Sequence, residues 1–206
     1  MLTPGPRVSE RFIDRTRREG PRGPARRIND GDVPINVEGA AFDSHGSLLL
    51  GLRYPVTQAG QPILAELAGV EAMIEDERAA PVVRRFWVIE NVGTPAAPAG
   101  VRALHSRGNE LHAVTGDLDA QGKGSALLEE HLEGGRAACA HHRFALPSDR
   151  DGGSVVAELV QPFNEHNVEG LASDPQGYFY YVTDEDDRIR VRYMRGEGPV
   201  AARGAL

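Results

Sequence analysis

Short runs of apolar residues, partly alternating with polar ones, follow one another along most of the chain. Between residues 36 and 90 these runs are NVEGAAFD, SLLLGL, PILAEL and RRFWVIE, and Pro or Gly residues separate them. Alternation over four to eight residues between turn residues is typical of β-strands. Residues 67–80, LAGVEAMIEDERAA, are rich in Ala, Glu and Met and favour a short helix inserted before the last run. This part of the chain therefore predicts four strands.

A close copy of the first of these runs recurs near the end of the chain. Residues 35–46 and 166–177 are identical at seven of twelve positions, at a separation of 131 residues. A fainter copy lies between them, where Val114 and Thr115 in ELHAVTG correspond to Val182 and Thr183 in YFYYVTD. Self-similarity of this kind is the signature of a repeated supersecondary unit. The chain is therefore predicted to contain about three units.

The middle and last units follow the same plan as the first. The middle unit offers VRALHS, ELHAVTG, SALLEEHL and AACAHHRFAL as strands, and the last unit offers NVEGLASD, YFYYVTD and RIRVRYM. The fourth strand of the last unit is either missing or supplied from elsewhere. The predicted segments are a basic, flexible segment at 1–31, repeat units at 32–92, 99–150 and 154–198, and a tail at 199–206.

Repeated four-stranded antiparallel sheets predict an all-β fold, a partial β-propeller of about three blades. Propellers typically close with about four to eight blades, so three blades leave open edges. The remaining blades are either lost upstream or supplied by a second copy of the chain. Because unpaired strands invite pairing, we expect self-association through the open blade edges.

The three phrases INVEGAAFDSHGSLLLGLRYPV, GVRALHSRGNELHAVTGDLDAQG and HNVEGLASDPQGYFYYVTDEDDR carry a family resemblance. Together they resemble successive blades of the bacterial domain-of-unknown-function 3616 family, whose members are expected to be propellers. The resemblance spans residues 32–195 and implies that amino-terminal blades are absent here. More loosely, the EGLA element is similar to propellers of the esterase-like phytase and gluconolactonase groups. The family brings no activity with it, and likeness of fold is a weak guide to function.

Charge is distributed unevenly and limits the choice of partners. Residues 1–30 carry a net charge of +4 in a chain whose total is −7, so the body is acidic. An acidic body repels phosphate backbones, and we expect no nucleic-acid partner. No run approaches the length of a membrane helix, and the first residues lack the apolar core of a secretory signal. These features indicate the cytoplasm, although a missing upstream segment would take an export signal with it.

Glu38 and Glu169 occupy the same place in the two best copies of the repeat. In a propeller the first strand of each blade commonly lines the central channel, so these carboxylates are expected to converge. Converging carboxylate oxygens suit a hard cation such as Ca²⁺, and in the gluconolactonase-like group a Glu in a comparable element is a metal ligand. Asn36 and Asn167 should project on the same face. The alternative is that both Glu side chains accept backbone hydrogen bonds between blades.

Further candidates lie at the ends of the strands. Asp184 and Asp186 follow the apolar strand YFYYVT and are candidate metal ligands, or else part of a solvated turn. Arg53 falls where the last unit has Asp184, and Arg102 lies beside the matching strand of the middle unit. The two arginines are candidates for binding an anionic ligand, or for pairing with the acids.

Other motifs carry no chemistry. Asp43 in DSHG and Asp174 in DPQG are typical of turns, where Asp binds nearby backbone and Gly takes the left-handed conformation. His141 and His142 are adjacent in a strand, so they should point to opposite faces and cannot chelate one metal together. Cys139 is expected to be a small buried hydrophobe.

Two functions stay open from the residues alone. The first is a scaffold that binds a protein or a small molecule with the face where the VTGD and VTDEDD loops emerge. The second is a metal-dependent hydrolase of esters, lactones or phosphoesters, in which Glu38 and Glu169 would hold a cation that activates water. Whether the chain is an enzyme, and on what substrate, does not follow from the sequence.

Overall fold

The described residues form mostly β-strands, as predicted. A computed structural model describes residues 35–118, 136–149, 151–164 and 167–183, together with the backbone of a strand at Arg192–Arg195. Within these ranges no helix is long and apolar enough to cross a membrane. The described strands form three sheets that are mainly antiparallel, and they do not close into a barrel.

The first sheet contains the four strands predicted for the first unit. They are β1 (Asn36–Phe42), β2 (Leu48–Tyr54), β3 (Ile63–Ala68) and β4 (Val82–Glu90), and each pairs antiparallel with the next. The expected short helix, α1 (Val70–Glu75), lies between β3 and β4. A fifth strand, β8 (Gly153–Val156), pairs parallel with β4 at the edge of the sheet.

The second sheet has four strands in the order β5, β6, β7, β9. These are β5 (Gly100–Arg107), β6 (Glu110–Gly116), β7 (Ala140–Phe144) and β9 (Glu158–Pro162). The predicted strand SALLEEHL falls outside the described residues. AACAHHRFAL, interpreted as a fourth strand, pairs directly with β6 as the third strand of the described sheet.

The start of the last unit needs a correction. The sequence interpretation began that unit at residue 154, but β8 hydrogen-bonds to the first sheet and β9 to the second. Buried Ala157 separates the two strands. The segment therefore crosses from one sheet to the next, and the apolar pattern on its own did not reveal which neighbour each half joins.

The third sheet follows the predicted plan of the last unit. It contains β10 (Val168–Ser173), β11 (Phe179–Thr183) and β12 (Arg192–Arg195), paired antiparallel in that order. Its described part has three strands.

The three sheets stack through their first strands. Strand β5 packs against β1 and β2 on one side and against β10 on the other. One apolar core lies between the first and second sheets and includes Leu64, Trp87 and Val101. A second core lies between the second and third sheets and includes Val114 and Val168. The second sheet is therefore covered on both faces.

A bulge recurs at the same place in the first strand of every sheet. The pairing between β1 and β2 shifts at Glu38, the pairing between β5 and β6 shifts at Arg102, and the pairing between β10 and β11 shifts at Glu169. A bulge adds one residue to a strand and redirects its side chain. The three sheets are thus structural repeats, and the residue at the bulge is acidic, basic and acidic in turn.

Candidate functional site

The three bulge residues belong to one cluster of charged side chains at one end of the stacked sheets. We call it the charge cluster, and its members are Glu38, Arg53, Arg102, Asp117 and Glu169. Arg53 comes from the end of β2, and Asp117 directly follows β6. The bulges turn the side chains of the first strands toward this end, where the second strands finish. All three sheets contribute at least one member.

Arg53 connects acids of all three sheets. Its Nη1 donates a hydrogen bond to Glu38 Oε1 at 2.7 Å. The same nitrogen lies 3.9 Å from Glu169 Oε1, and Nη2 lies 3.8 Å from Asp117 Oδ1. The Arg53 side chain is only 3% exposed. Its charge is therefore balanced by carboxylates inside the protein and not by water.

Arg102 makes the second set of contacts. Its Nη1 donates to Asp117 Oδ1 at 3.1 Å, and its Nη2 donates to Glu169 Oε1. Nη2 also contacts Asn167 Oδ1 at 3.5 Å. The side chain is 1% exposed. A guanidinium buried to this degree is tolerable only when acceptors replace its lost water, and the acids supply them.

The structure brings together four of the six predicted site residues. Glu38 and Glu169 do converge, since both carboxylates lie within 3.9 Å of Arg53 Nη1. Arg53 and Arg102, predicted to bind an anionic ligand or to pair with acids, do the latter. Asp184 and Asp186 lie outside the described residues. Asn36 donates to Glu38 Oε1 at 3.1 Å, so the asparagines also take part.

The charge cluster is a poor fit to the expected Ca²⁺ site. A calcium ion needs six to eight oxygen ligands around one point, whereas here two guanidinium groups stand between the carboxylates. A cation placed among them would be repelled by both arginines. Across the described residues, no group of three or more His, Cys, Asp or Glu side chains is arranged to hold a metal.

Asp117 was missed by sequence reasoning. It bonds Arg102, and its other oxygen lies 3.8 Å from Nε of the half-exposed Arg136. The signal was available, because GVRA in the middle unit aligns with NVEG in the other two and places Arg102 at the position of the repeated Glu. An arginine at a position that is acidic in the other repeats predicts nearby acids to pair with it. Asp117 directly follows β6, the strand that pairs with the strand of this arginine.

A second cluster, also missed, lies between the second and third sheets and is built from histidines. His112 Nδ1 and His141 Nε2 are 3.0 Å apart, and His141 Nδ1 is 2.9 Å from the hydroxyl oxygen of Tyr181. His105 Nε2 contacts Ser173 Oγ at 2.8 Å. The ring of Phe179 packs against His112 and His141. The contacts with Tyr181 and Ser173 join the second sheet to the third.

Burial keeps these histidines neutral. Desolvation, together with smaller effects of nearby histidines and arginines, lowers the pKa of His141 to about 3 and that of His112 to about 4. Burial likewise raises the pKa of Tyr181 to about 12. Because both imidazoles are neutral, one can donate and the other accept in the bond between them. His142 points the other way and contacts Thr115, which confirms the expected opposite faces.

A buried carboxylate forms the floor of a cleft at the end of the stack away from the charge cluster. The cleft has a volume of about 330 Å³ and lies between the turns that follow β1 and β5. Glu66 accepts hydrogen bonds from Arg85 at 2.9 Å and from Trp87 Nε1 at 3.1 Å. Burial alone would raise the pKa of Glu66, but these donors lower it below its ordinary value. Both Glu66 oxygens are therefore engaged.

The remaining candidates have the structural roles expected of them. Asp43 Oδ1 accepts from the backbone N–H groups of His45 and Ser47, both at 2.8 Å, and Asp174 Oδ1 accepts from that of Tyr178 at 2.8 Å. The turn glycines that follow them have φ of 81° and 91°. Cys139 is a buried free thiol.

Comparison with known proteins identifies no relative. No family matches the sequence, and no curated protein and no solved structure matches it either. The resemblance to the domain-of-unknown-function family therefore stays a prediction, and the function has to be argued from the structure.

Proposed function

We propose that this chain is a non-catalytic binding scaffold whose three sheets are consecutive blades of an incomplete β-propeller. The stacking of first strands and the repeated bulge support the propeller assignment, because blades related by rotation place equivalent residues at one end of an axis. The end that carries the charge cluster is the binding face in this proposal.

One observation carries the proposal: both arginines of the charge cluster are ion-paired to its acids. Arg53 and Arg102 are buried and ion-paired to Glu38, Asp117 and Glu169. A hydrolase needs a nucleophile, a base or a Lewis acid that is free to change its partners during the reaction. In this proposal the paired charges instead hold the three sheets in register.

The chemistry of the exposed atoms indicates the kind of ligand. Side-chain exposure is 23% for Glu38 and 32% for Glu169, whereas the arginines behind them are nearly buried. In this proposal a partner therefore meets the two partly exposed glutamate side chains rather than the arginines. Such a surface favours a basic peptide segment, and the acidic balance of the whole chain, −7, favours it too.

A metal-dependent hydrolase is the second candidate, and one observation favours it. Glu38 Oε2 is buried and has no hydrogen-bond partner among the described residues. A buried acceptor without a donor costs free energy, and a bound cation would offset that cost. The arginine 2.7 Å from the other oxygen of the same carboxylate weighs against this reading.

Two titrations separate these candidates. The first adds a fluorescently labelled oligoarginine peptide and follows its anisotropy. We expect Glu169→Gln to weaken binding about threefold, because one exposed charge contributes roughly 0.2 to 1 kcal/mol. The second adds Ca²⁺ in a calorimeter, where the scaffold should show no stoichiometric binding.

The matched control is Glu158→Gln, which removes the same charge from an exposed acid on β9 that pairs with Arg143. This variant should leave the affinity for the peptide unchanged. Stoichiometric Ca²⁺ binding that disappears in Glu169→Gln, together with hydrolysis of a lactone or phosphoester by the unmodified protein, would favour the hydrolase and refute the scaffold.

A further inference from the structure

The junction between the second and third sheets differs in its chemistry from the junction between the first and second. Among the described residues, the core of the first junction contains no histidine. The second junction contains the buried side chains of His112, His141 and Tyr181, with the partly buried His105 beside them. Histidine is the side chain whose ordinary pKa lies between about pH 5 and pH 8. The two junctions should therefore respond differently to mild acid.

The histidines contact both described strands at the start of the third sheet. His141, on β7, lies 2.9 Å from the hydroxyl oxygen of Tyr181 on β11. Its ring also packs edge-on against Phe179 of the same strand, with 4.7 Å between the ring centroids. His105, on β5, contacts Ser173 at the end of β10 at 2.8 Å. Strands β10 and β11 are therefore both held to the second sheet through histidine side chains.

The contact between His112 and His141 has room for only one proton. Nδ1 of His112 and Nε2 of His141 are 3.0 Å apart, so one ring donates and the other accepts. If both imidazoles were protonated, both nitrogens would carry a hydrogen, and two positive rings would face each other at this distance. The closed junction therefore excludes the state in which both histidines are charged.

The charged groups around this pair also disfavour protonation. His105 and Arg107 of β5 and Arg143 of β7 all disfavour a positive charge on His112. An acid on β6, Glu110, has its Oε2 4.0 Å from His112 Nε2. Because the Glu110 side chain is 53% exposed, water and salt screen its attraction. The pair therefore lies in a setting that favours neutral imidazoles.

Burial, and after it these neighbours, separates the proton affinities of the closed and open junction. The pKa is about 4 for His112 and about 3 for His141, against an ordinary value of 6.5. His142, which follows on β7 and contacts Thr115 on the opposite face, adds a smaller lowering to the pKa of His141. Tyr181 has a pKa of about 12 and brings no negative charge. In an open junction both rings meet water, so acid favours opening.

The first junction lacks this sensitivity between pH 7 and pH 5. Its described buried ionisable group is Glu66, and burial alone would raise the pKa of that carboxyl. Hydrogen bonds from Arg85 and Trp87 more than offset this effect and lower the pKa below its ordinary value, so Glu66 stays ionised. His45, at the rim of the cleft, is exposed. Mild acid therefore acts on one junction and spares the other.

We propose that the histidine cluster is an acid-sensitive latch. Between about pH 6.5 and pH 5, protonation of His112 and His141 releases the third sheet from the second, while the first and second sheets stay packed together. Opening also separates Glu169 from Arg102 at the other end of the same junction, so the charge cluster loses one of its carboxylates. The inference concerns the junction and does not depend on the proposed ligand.

Hydrogen exchange of the 206-residue chain, followed by mass spectrometry, locates the opening. Exchange rates at pH 7 and pH 5, each divided by the intrinsic rate at that pH, give the protection of each segment. Below its ordinary pKa each histidine raises the opening constant by up to about tenfold per pH unit. The protection of β10 and β11 should therefore fall about 100- to 1,000-fold, whereas that of β3 and β4 should change less than about threefold.

One variant and a matched control test the role of the histidines. His141→Gln leaves a single titrating group in the pair, so the fall in protection of β10 and β11 should shrink to at most about thirtyfold. His142→Gln changes the next residue of the same strand, which faces away from the third sheet, and should leave the fall unchanged. If His141→Gln does not fold at pH 7 by circular dichroism, His112→Gln replaces it with the same expectation.

Three results would overturn the latch. The first is an equal loss of protection at pH 5 in all three sheets, which would mean that acid unfolds the protein as a whole. The second is unchanged protection of β10 and β11 at pH 5. The third is a fall that is as large in His141→Gln as in the unmodified protein. The first two results come from the unmodified protein, so they decide even if neither variant folds.

Discussion

Arg102 of the second sheet donates a hydrogen bond to Glu169 of the third, and the two residues hold the same bulge position in their respective repeats. The repeat thus places opposite charges at equivalent points of adjacent sheets. A glutamate at this position in all three sheets would place three carboxylates close together. Because the second sheet has Arg102 there, the contact is an ion pair. The following expectations test what this and the neighbouring contacts contribute.

Removing the central arginine should destabilise the protein strongly. Arg102→Leu leaves Asp117 and Glu169 without their closest cation, in a setting where the arginine is 1% exposed. Breaking a buried pair from one side costs about 3 to 5 kcal/mol. Urea unfolding should show the loss as a lower midpoint. Arg143→Leu, which breaks the exposed pair with Glu158, should cost at most about 1 kcal/mol; equal costs would contradict the burial argument.

Adding a side chain at Gly39, where the first sheet packs against the second, should also lower the free energy of unfolding. Gly39→Val would drive a side chain into Val101 and into the Leu104 backbone, which lies 3.1 Å from the position of the new Cβ. Overpacking of this kind costs about 1 to 3 kcal/mol. Thermal unfolding measures the change. Ser154→Val adds the same side chain at an exposed strand position and should be nearly neutral.

Acid should destabilise the protein through its buried histidines. Their folded pKa values, about 3 for His141 and about 4 for His112, lie below the ordinary 6.5. Above pH 6.5 these residues are neutral in both states. Below pH 6.5 these histidines bind protons in the unfolded chain but not in the folded protein. The free energy of unfolding therefore falls as the pH drops toward 4. The slope is about 1.4 kcal/mol per pH unit for each histidine.

Urea midpoints at pH 7, 6 and 5 measure this slope. His141→Gln should make the dependence shallower, because one of the two buried groups no longer titrates. His45→Gln, at an exposed turn residue, should leave the slope unchanged. An unchanged slope in His141→Gln would show that acid destabilises the protein by another route.

Trp87 provides an optical report on Glu66. It is the only tryptophan of the chain, it is fully buried, and its Nε1 donates to Glu66 Oε2 at 3.1 Å. Glu66→Leu removes the acceptor and leaves the indole N–H and Arg85 without it, at a cost of about 1 to 3 kcal/mol. We expect a lower unfolding midpoint and a shifted Trp emission maximum in the folded state. Glu110→Leu, at a half-exposed acid beside the same cleft, should change neither.

Much of the strand order was predictable, since it rests on local signals. The four runs predicted between residues 36 and 90 correspond to β1 to β4, and the predicted helix corresponds to α1. These predictions succeed because alternation and turn residues are signals that span only a few positions. The convergence of Glu38 and Glu169 was also predictable, since equal places in a repeat become equivalent places in space. Asp117 was not predicted although its partner Arg102 lies on the neighbouring strand β5. The histidine cluster was not predicted, because Tyr181 and Ser173 lie on strands of the third sheet that the sequence does not show to be neighbours of the second.

The sequence by itself determined the all-β class, the repeated units, the turns at Asp43 and Asp174, and the pairing of four strands with their sequence neighbours. Each depends on residues close together in the chain. Tertiary structure alone decided that β8 and β9 join different sheets and that the acids face arginines where a metal was expected. The physical reason is that the partner of a buried charge is chosen by which strands stack, and stacking depends on the fit of whole sheet faces. That fit is a property of side chains brought together from distant parts of the chain, such as Gly39 against Val101.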